Sequence, residues 1–179
     1  MGLSPHGVRQ AAALAEYVHR KPLDVLYASP MKRARQTLAP LLLNGTPAPV
    51  ILPELREIDF GDWTGLNWDE VQKKFGVSPF TWLEQLECAG IAKAECAETL
   101  RARIEPCLRK ILNDHAGQQV AIVCHGGVIR VLLAVLFEWP LSRMGAFEID
   151  YASVTQVALF PDGPRFQLVN FAPWRETVR

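Results

Sequence analysis

The sequence predicts an α/β protein. Short apolar runs at 23–28, 50–52 and 119–124 alternate with longer segments in which apolar residues recur at helical spacing. The run at 119–124 is almost unbroken, which is typical of strands buried on both faces of a parallel sheet. A chain of 179 residues can bury one good core but is too short for two ordinary domains, so we expect a single domain over 1–179.

The first predicted element is a helix that begins at Pro5. Ser4 is a suitable N-cap, and proline is favoured at the first helical position. Apolar residues continue at helical spacing to Val18. A strand over 23–28 then leads into a second helix, which carries Arg33.

The middle of the chain contains a short strand at 50–52 and a loop at 54–65 with two glycines and several carboxylates. The stretch of about 66–95 has an irregular helical pattern, and we interpret it as a helical lid or insertion beside a site. We expect its aromatic residues to pack in the core, with a wall for a substrate base as the alternative. These residues are Trp68, Phe75, Phe80 and Trp82. A helix over 97–113 follows, despite Pro106.

The last third begins with the strand at 119–124, which ends just before His125. An apolar segment over 128–136 predicts a buried helix. Two further strands, at 154–160 and 165–169, are separated by turn residues and predict a hairpin.

Composition excludes several functional classes. Lysine and arginine together number 19, as do aspartate and glutamate, so bulk charge does not favour nucleic acid or anionic membranes. No apolar stretch reaches transmembrane length. The four cysteines form neither the CxxC pairs of a zinc site nor a dense disulfide pattern. We expect a cytoplasmic protein that binds neither nucleic acid nor membrane.

His125 is the first candidate functional residue, because it stands between a buried strand and the glycines that begin a helix. Ligands bind at the carboxyl ends of strands in open α/β sheets. Glycines permit close backbone approach, and the free N–H groups of a first helical turn attract phosphate. The alternative is a hydrogen-bonded core histidine.

Arg33 and a carboxylate of the 54–65 loop are the next candidates. A guanidinium at the start of the second helix can bind two phosphate oxygens, although a solvated surface cation is the alternative. Glu57 lies in a semi-apolar stretch, where burial would raise its pKa toward the range of a general acid. The spacing does not choose among the carboxylates, which are Glu54, Glu57, Asp59 and Asp62.

Four ordered motifs resemble the histidine phosphatase superfamily, whose members have the phosphoglycerate-mutase-like fold. They are LSPHGVRQA at 3–11, SPMKRARQT at 29–37, LREIDFGDWTG at 55–65 and CHGGVIR at 124–130. The amino-acid sequence of the third motif is most similar to that of the α-ribazole phosphatase branch. The resemblance implies a three-layer α/β/α fold with a mostly parallel sheet.

The resemblance also implies hydrolysis of a small phosphorylated metabolite through a phosphohistidine intermediate, without metal or cofactor. Arg33 and His125 would bind the phosphoryl group, together with a backbone N–H of Gly126. Glu57 would protonate the leaving alcohol and later activate water. The alternatives are a phosphoglycerate mutase and a non-catalytic phosphate-binding protein.

The family's nucleophile is not found in this sequence. It normally lies in an Arg-His-Gly motif on a strand upstream of the segment that matches 3–11, and the 179 residues contain no such motif. We expect His6 to have a helix-capping or surface role, and His19 and His115 to be surface residues. The resemblance thus predicts an N-terminally truncated domain that lacks its first strand and is inactive as written. Met1 is then either an internal methionine taken as the start or the start of a short protein.

The missing strand would pair beside the strand that ends at His125. We therefore expect unpaired backbone there, covered by a homodimer contact or by strand exchange.

Two motif positions also depart from the family. Its Gly-Gly-Glu-Ser is replaced by KAEC at 93–96, and Cys124 stands in place of a serine. The roles of Glu95 and Cys124 do not follow from the sequence.

Overall fold

A parallel sheet of three strands lies at the centre of the computed structural model, which describes residues 1–43, 45–78 and 81–176. The strands are β1 (Val25–Ala28), β2 (Val50–Ile51) and β3 (Val120–Val123), with β1 in the middle. Ala28 is in register with Ile51 on one side and with Val123 on the other. The carboxyl ends of β1 and β3 therefore lie side by side, and Ser29 and His125 follow within two residues of those ends.

Helices cover both faces of this sheet, as expected for three layers. The helices around it are α1 (Pro5–Val18), α2 (Lys32–Leu38), α5 (Ala97–Asp114) and α6 (Gly126–Leu136). Ser4 caps α1 as predicted, because its Oγ accepts a hydrogen bond from Gly7 N at 3.1 Å. Pro106 lies inside α5 without ending it.

The alternation of side chains along β1 and β3 explains the layers. Tyr27 and Ile122 belong to a large apolar core that also contains Ile104 of α5 and Val128 of α6. The intervening residues point to the opposite face, where Leu26 packs with α2. The parallel sheet thus has helices on both faces and its middle strand β1 is largely buried, so the α/β/α prediction is confirmed.

The predicted hairpin is present as β4 (Val154–Phe160) and β5 (Gly163–Phe171), followed by the short helix α7 (Pro173–Glu176). The two strands pair in antiparallel fashion and form a sheet of their own.

β3 differs from the expectation that it would be buried on both faces. All four of its residues are only half-buried. Within the described ranges β3 pairs with β1 alone, so its second edge borders no strand. An unbroken apolar run shows that both faces of a strand prefer burial, but it does not show how many neighbours the strand has.

The segment at 66–95 contains two short helices, α3 (Trp68–Phe75) and α4 (Trp82–Glu87). Asn67 and Glu70 form a capping box at the start of α3. Trp82 is buried, which confirms core packing for this residue, whereas Trp68 and Phe75 are 40% and 38% exposed. Phe80 lies outside the described residues.

Candidate active site

Ser29 and His125 form a buried pair where β1 and β3 end. Ser29 is fully buried and His125 is 6% exposed. Ser29 N donates to Val123 O at 2.9 Å, which joins the two strand ends. Ser29 Oγ lies 2.7 Å from His125 Nε2. His125 is therefore hydrogen-bonded in the core and also lies at the edge of the sheet where α/β proteins bind ligands.

Arg33 reaches this pair from the first turn of α2. Its Nε donates to Nδ1 of His125 at 3.1 Å. Since Nδ1 accepts this bond, a neutral His125 carries its proton on Nε2 and donates it to Ser29 Oγ. The sequence motif contains Ser29, but its side-chain role was not predicted. The signal available was its place at the end of a strand, which matches that of His125.

His125 stays neutral over most of the pH range. Burial, with the positive charges of Arg33 and Arg103, lowers its pKa from 6.5 to about 4. A neutral imidazole donates one hydrogen bond only, so the Nε2 proton is what this residue offers to a ligand.

Glu57 is the loop carboxylate that lies beside Arg33. Its Oε2 is 4.0 Å from Arg33 Nη2, and its side chain is 19% exposed. Burial raises the pKa of Glu57, against the opposing effects of hydrogen bonds from the Ile58 and Val128 amides and of the charge of Arg33. The sequence left four carboxylates open. Asp62 instead pairs with Lys93 on the surface at 2.9 Å.

Gly127 makes room for this carboxylate at the start of α6. A Cβ atom on Gly127 would lie 2.5 Å from Ile58 Cδ1 and 2.8 Å from Glu57 Oε1. Glu57 therefore lies against the first turn of α6, where the Val128 amide acts to lower its pKa. We expected this turn to be open to phosphate, including the neighbouring amide of Gly126. In the structure, a carboxylate of the chain lies close to part of this turn.

The remaining histidines make other contacts. The exposed ring of His6 packs against Trp174, with 5.9 Å between ring centroids. His19 Nε2 is 2.9 Å from Leu41 O, and His115 Nε2 is 2.8 Å from Tyr27 Oη. The last two are half-buried rather than on the surface as expected, because each has a hydrogen-bond partner from a distant part of the chain.

The cysteine thiols of the described residues differ in how readily they ionise: hydrogen bonds with Thr99 lower the pKa of Cys96, whereas burial raises the pKa of Cys107. All four cysteines, which lie within the described ranges, are free. Burial raises the pKa of the Cys124 thiol to about 12, so it stays protonated beside His125. The described residues contain no cluster of ligands suited to a metal ion. They also form no helix long and apolar enough to cross a membrane.

A sequence model of the histidine phosphatase superfamily (branch 1) matches residues 1–172. The chain belongs to this superfamily. It is 28% identical over 155 residues to phosphoserine phosphatase 1 of Hydrogenobacter thermophilus, covering 87% of this chain and 74% of that protein. It is 27% identical over 175 residues to the adenosylcobalamin/alpha-ribazole phosphatase of Salmonella typhimurium, covering 97% of this chain and 86% of that protein.

Solved structures of phosphatases share the fold. A putative alpha-ribazole-5'-P phosphatase from Escherichia coli superposes with a TM-score of 0.79 at 23% identity, over 94% of this chain and 83% of that one. A mycobacterial glucosyl-3-phosphoglycerate phosphatase in complex with VO3 superposes with a TM-score of 0.83 at 25% identity, over 96% of this chain and 87% of that one. The phosphoglycerate-mutase-like fold predicted from the motifs is thus confirmed.

Proposed function

We propose that this chain carries the phosphoryl-binding residues and the proton donor of a phosphomonoesterase that works through a phosphohistidine. The observation that supports this most directly is the position of Arg33. Its guanidinium contacts His125 at 3.1 Å and lies 4.0 Å from Glu57, so a cation, a neutral donor and a carboxylic acid of raised pKa meet in one place. Membership of a family whose named relatives are phosphatases supports the same reaction class.

Each residue then has one role. Arg33 binds phosphoryl oxygens with its positive charge. His125 donates its Nε2 proton to another phosphoryl oxygen in exchange for Ser29 Oγ. The Gly126 amide is a further donor that we propose at the start of α6. These contacts stabilise charge on the equatorial oxygens as the phosphoryl group moves.

Glu57 completes the proton balance of the reaction. A histidine nitrogen attacks phosphorus, the bond to the ester oxygen breaks, and protonated Glu57 gives its proton to the leaving alkoxide. In the second step Glu57 accepts a proton from water, whose oxygen attacks phosphorus while the P–N bond breaks. Burial keeps a fraction of Glu57 protonated at a higher pH than an exposed glutamate allows.

The attacking histidine is the component that we do not find among the 179 residues. His6, His19 and His115 contact Trp174, Leu41 and Tyr27 respectively. We therefore propose that the chain as written binds phosphate without turning it over, and that the open second edge of β3 accepts the strand that brings the nucleophile.

In the absence of such a strand, we propose that the same edge pairs with a second copy of the chain. Sedimentation velocity tests this: a dimer that is lost when a strand is supplied supports it, and a monomer at all concentrations contradicts it.

The substrate class we propose is a small phosphorylated metabolite, either similar to α-ribazole phosphate or one of several accepted by a broad phosphatase. The names of the relatives support this range. A phosphoglycerate mutase is the second candidate, on the basis of the shared fold. The free thiols fit a reducing compartment, and we propose the cytoplasm.

The test is to extend the chain at its N-terminus with a strand that ends in Arg-His-Gly, and to measure p-nitrophenyl phosphate hydrolysis. The control is the same extension with alanine in place of its histidine. We expect hydrolysis with the first extension only, reduced by Glu57→Gln. Background activity in both extended chains, or turnover by the unextended chain, would contradict the assigned roles. Rates on a ribazole phosphate and on phosphoglycerates then separate the substrate classes.

A further inference from the structure

Glu57 lies in a segment without regular secondary structure, so other residues must hold its side chain in place. The segment 54–59 begins inside the 3-10 turn Pro53–Leu55 and ends before the 3-10 turn Gly61–Trp63, and Glu57 lies in the irregular part between the two turns. A carboxylate on such a segment can move by ångströms unless its neighbours are fixed. The contacts that fix them come from Glu95 and Arg103, which the proposed reaction does not otherwise use.

Arg103, on α5, holds the start of the segment. Its Nε and Nη2 donate to the two carboxylate oxygens of Glu95 at 2.8 and 3.0 Å, as a bidentate pair. Its Nη1 donates to the Glu54 carbonyl oxygen. The side chains of Arg103 and Glu95 are only 13% and 14% exposed, so water screens this pair weakly.

Glu95 holds the rest of the segment. Its Oε1 accepts from Arg56 Nη2 at 2.8 Å, and its Oε2 accepts from Asp59 N at 3.0 Å. The Glu95 amide in turn donates to Asp59 O at 2.9 Å. Residues 54, 56 and 59 are therefore all bound to one ion pair, and Glu57 lies between them.

The charges in this pair rule out a direct proton-transfer role for Glu95. Burial alone would raise the pKa of Glu95, but hydrogen bonds from Arg103 and Asp59 and the charges of Arg103 and Arg56 outweigh it and lower the pKa. Glu95 thus stays ionised, which suits a permanent hydrogen-bond acceptor rather than a general acid.

We propose that Glu95 and Arg103 are positioning residues: their ion pair holds the 54–59 segment so that the Glu57 carboxyl stays buried between Arg33 and the first turn of α6. This inference rests on the proposed role of Glu57. It gives Glu95, whose function the sequence left open, a place in the site without contact to substrate.

The experiment measures the pKa of Glu57 in the full chain by NMR, with ¹³C-labelled glutamate carboxyl groups and Glu57→Gln to assign the resonance. Arg103→Lys keeps the charge of Arg103 but loses its bidentate geometry. If position is what Arg103 provides, the segment opens to water, burial no longer raises the pKa of Glu57, and the value falls toward the ordinary 4.5. The other ionisable groups that face Glu57 are Arg33, Arg130 and Cys124, and they remain unchanged.

The matched control is Arg109→Lys on the same helix, where an exposed arginine pairs with Glu105. We expect it to leave the pKa of Glu57 unchanged. Arg56→Lys, at a half-exposed side chain, is a milder charge-conserving variant that decides the question if Arg103→Lys does not fold. We expect a smaller fall in the pKa of Glu57 from this variant.

An unchanged or raised pKa of Glu57 in the folded charge-conserving variants would overturn the proposal. The readout needs neither phosphate nor turnover. A failure of the proposed function would instead appear as absent phosphate binding while these pKa shifts are still observed.

Discussion

Arg33 donates from Nε to Nδ1 of His125 at 3.1 Å, and this bond determines which proton the site can offer. With Nδ1 occupied, the imidazole proton must lie on Nε2, directed at Ser29 Oγ. The same guanidinium lies 4.0 Å from Glu57 Oε2. The geometry thus links the proposed phosphoryl-binding residues to the proposed acid through the Arg33 side chain.

Arg33→Gln is expected to weaken the binding of inorganic phosphate about 10- to 100-fold, since a hydrogen bond to a charged group contributes about 1.5–3 kcal/mol. Titration followed by NMR measures the affinity. Arg35→Gln is the control, because Arg35 is an exposed residue of the same helix. Equal affinities of the two variants would remove Arg33 from the site.

His125 should make the protein less stable as the pH falls from 6.5 to about 4. In this window His125 binds a proton in the unfolded state, where its pKa is the ordinary 6.5, but stays neutral in the folded state. The free energy of unfolding is expected to fall by up to about 3 kcal/mol from this group. Glu57, whose pKa is raised, contributes with the opposite sign.

The measurement therefore compares denaturant unfolding of Glu57→Gln with that of Glu57→Gln/His125→Gln across this pH range. We expect the free energy of unfolding to fall with falling pH in the first protein. In the second protein we expect it to change less with pH. Parallel profiles would show that the pKa of His125 is not depressed.

Gly127→Ala is expected to displace Glu57 and to destabilise the fold by about 1–3 kcal/mol, because its Cβ would overlap Ile58 Cδ1 at 2.5 Å. Gly126→Ala is the stability control, since its nearest contact would be Arg130 Nη1 at 3.4 Å. Urea unfolding compares the two. Equal free energies of unfolding for Gly127→Ala and Gly126→Ala would show that Glu57 and Ile58 do not lie close to Gly127 of α6.

Phosphate binding should be accompanied by proton uptake. An anion bound at Arg33 adds negative charge beside Glu57 and raises its pKa further, and it raises the pKa of His125 in the same way. Calorimetric titrations near pH 5.5 in two buffers of different ionisation enthalpy measure the number of protons taken up. Glu57→Gln should reduce that number, and an unchanged value would place the anion away from Glu57.

The sequence predicts the parts of the site that local motifs encode. Arg33, Glu57 and His125 each lie in a recognisable segment, and the three segments meet at the carboxyl ends of parallel strands, as an α/β fold requires. The order of the helices and the hairpin follow from periodicity and turn residues in the same way.

The contacts that pattern analysis could not predict join residues distant in sequence. Arg103 and Glu54 are 49 positions apart, and nothing local to either indicates their bond. The choice of Glu57 among four carboxylates likewise depends on Gly127, on another element, leaving space for it. The half-burial of β3 depends on which strands are its neighbours, which an apolar run does not specify.

The most direct test of the account is an NMR titration of the full chain with inorganic phosphate, observed at the ring nitrogens of His125. We predict that phosphate shifts the Nε2 signal, because the Nε2–H group then donates to a phosphoryl oxygen instead of Ser29 Oγ. We also predict that phosphate raises the pKa of His125 from about 4. Unchanged His125 signals at saturating phosphate, or binding detected only at other residues, would contradict the account.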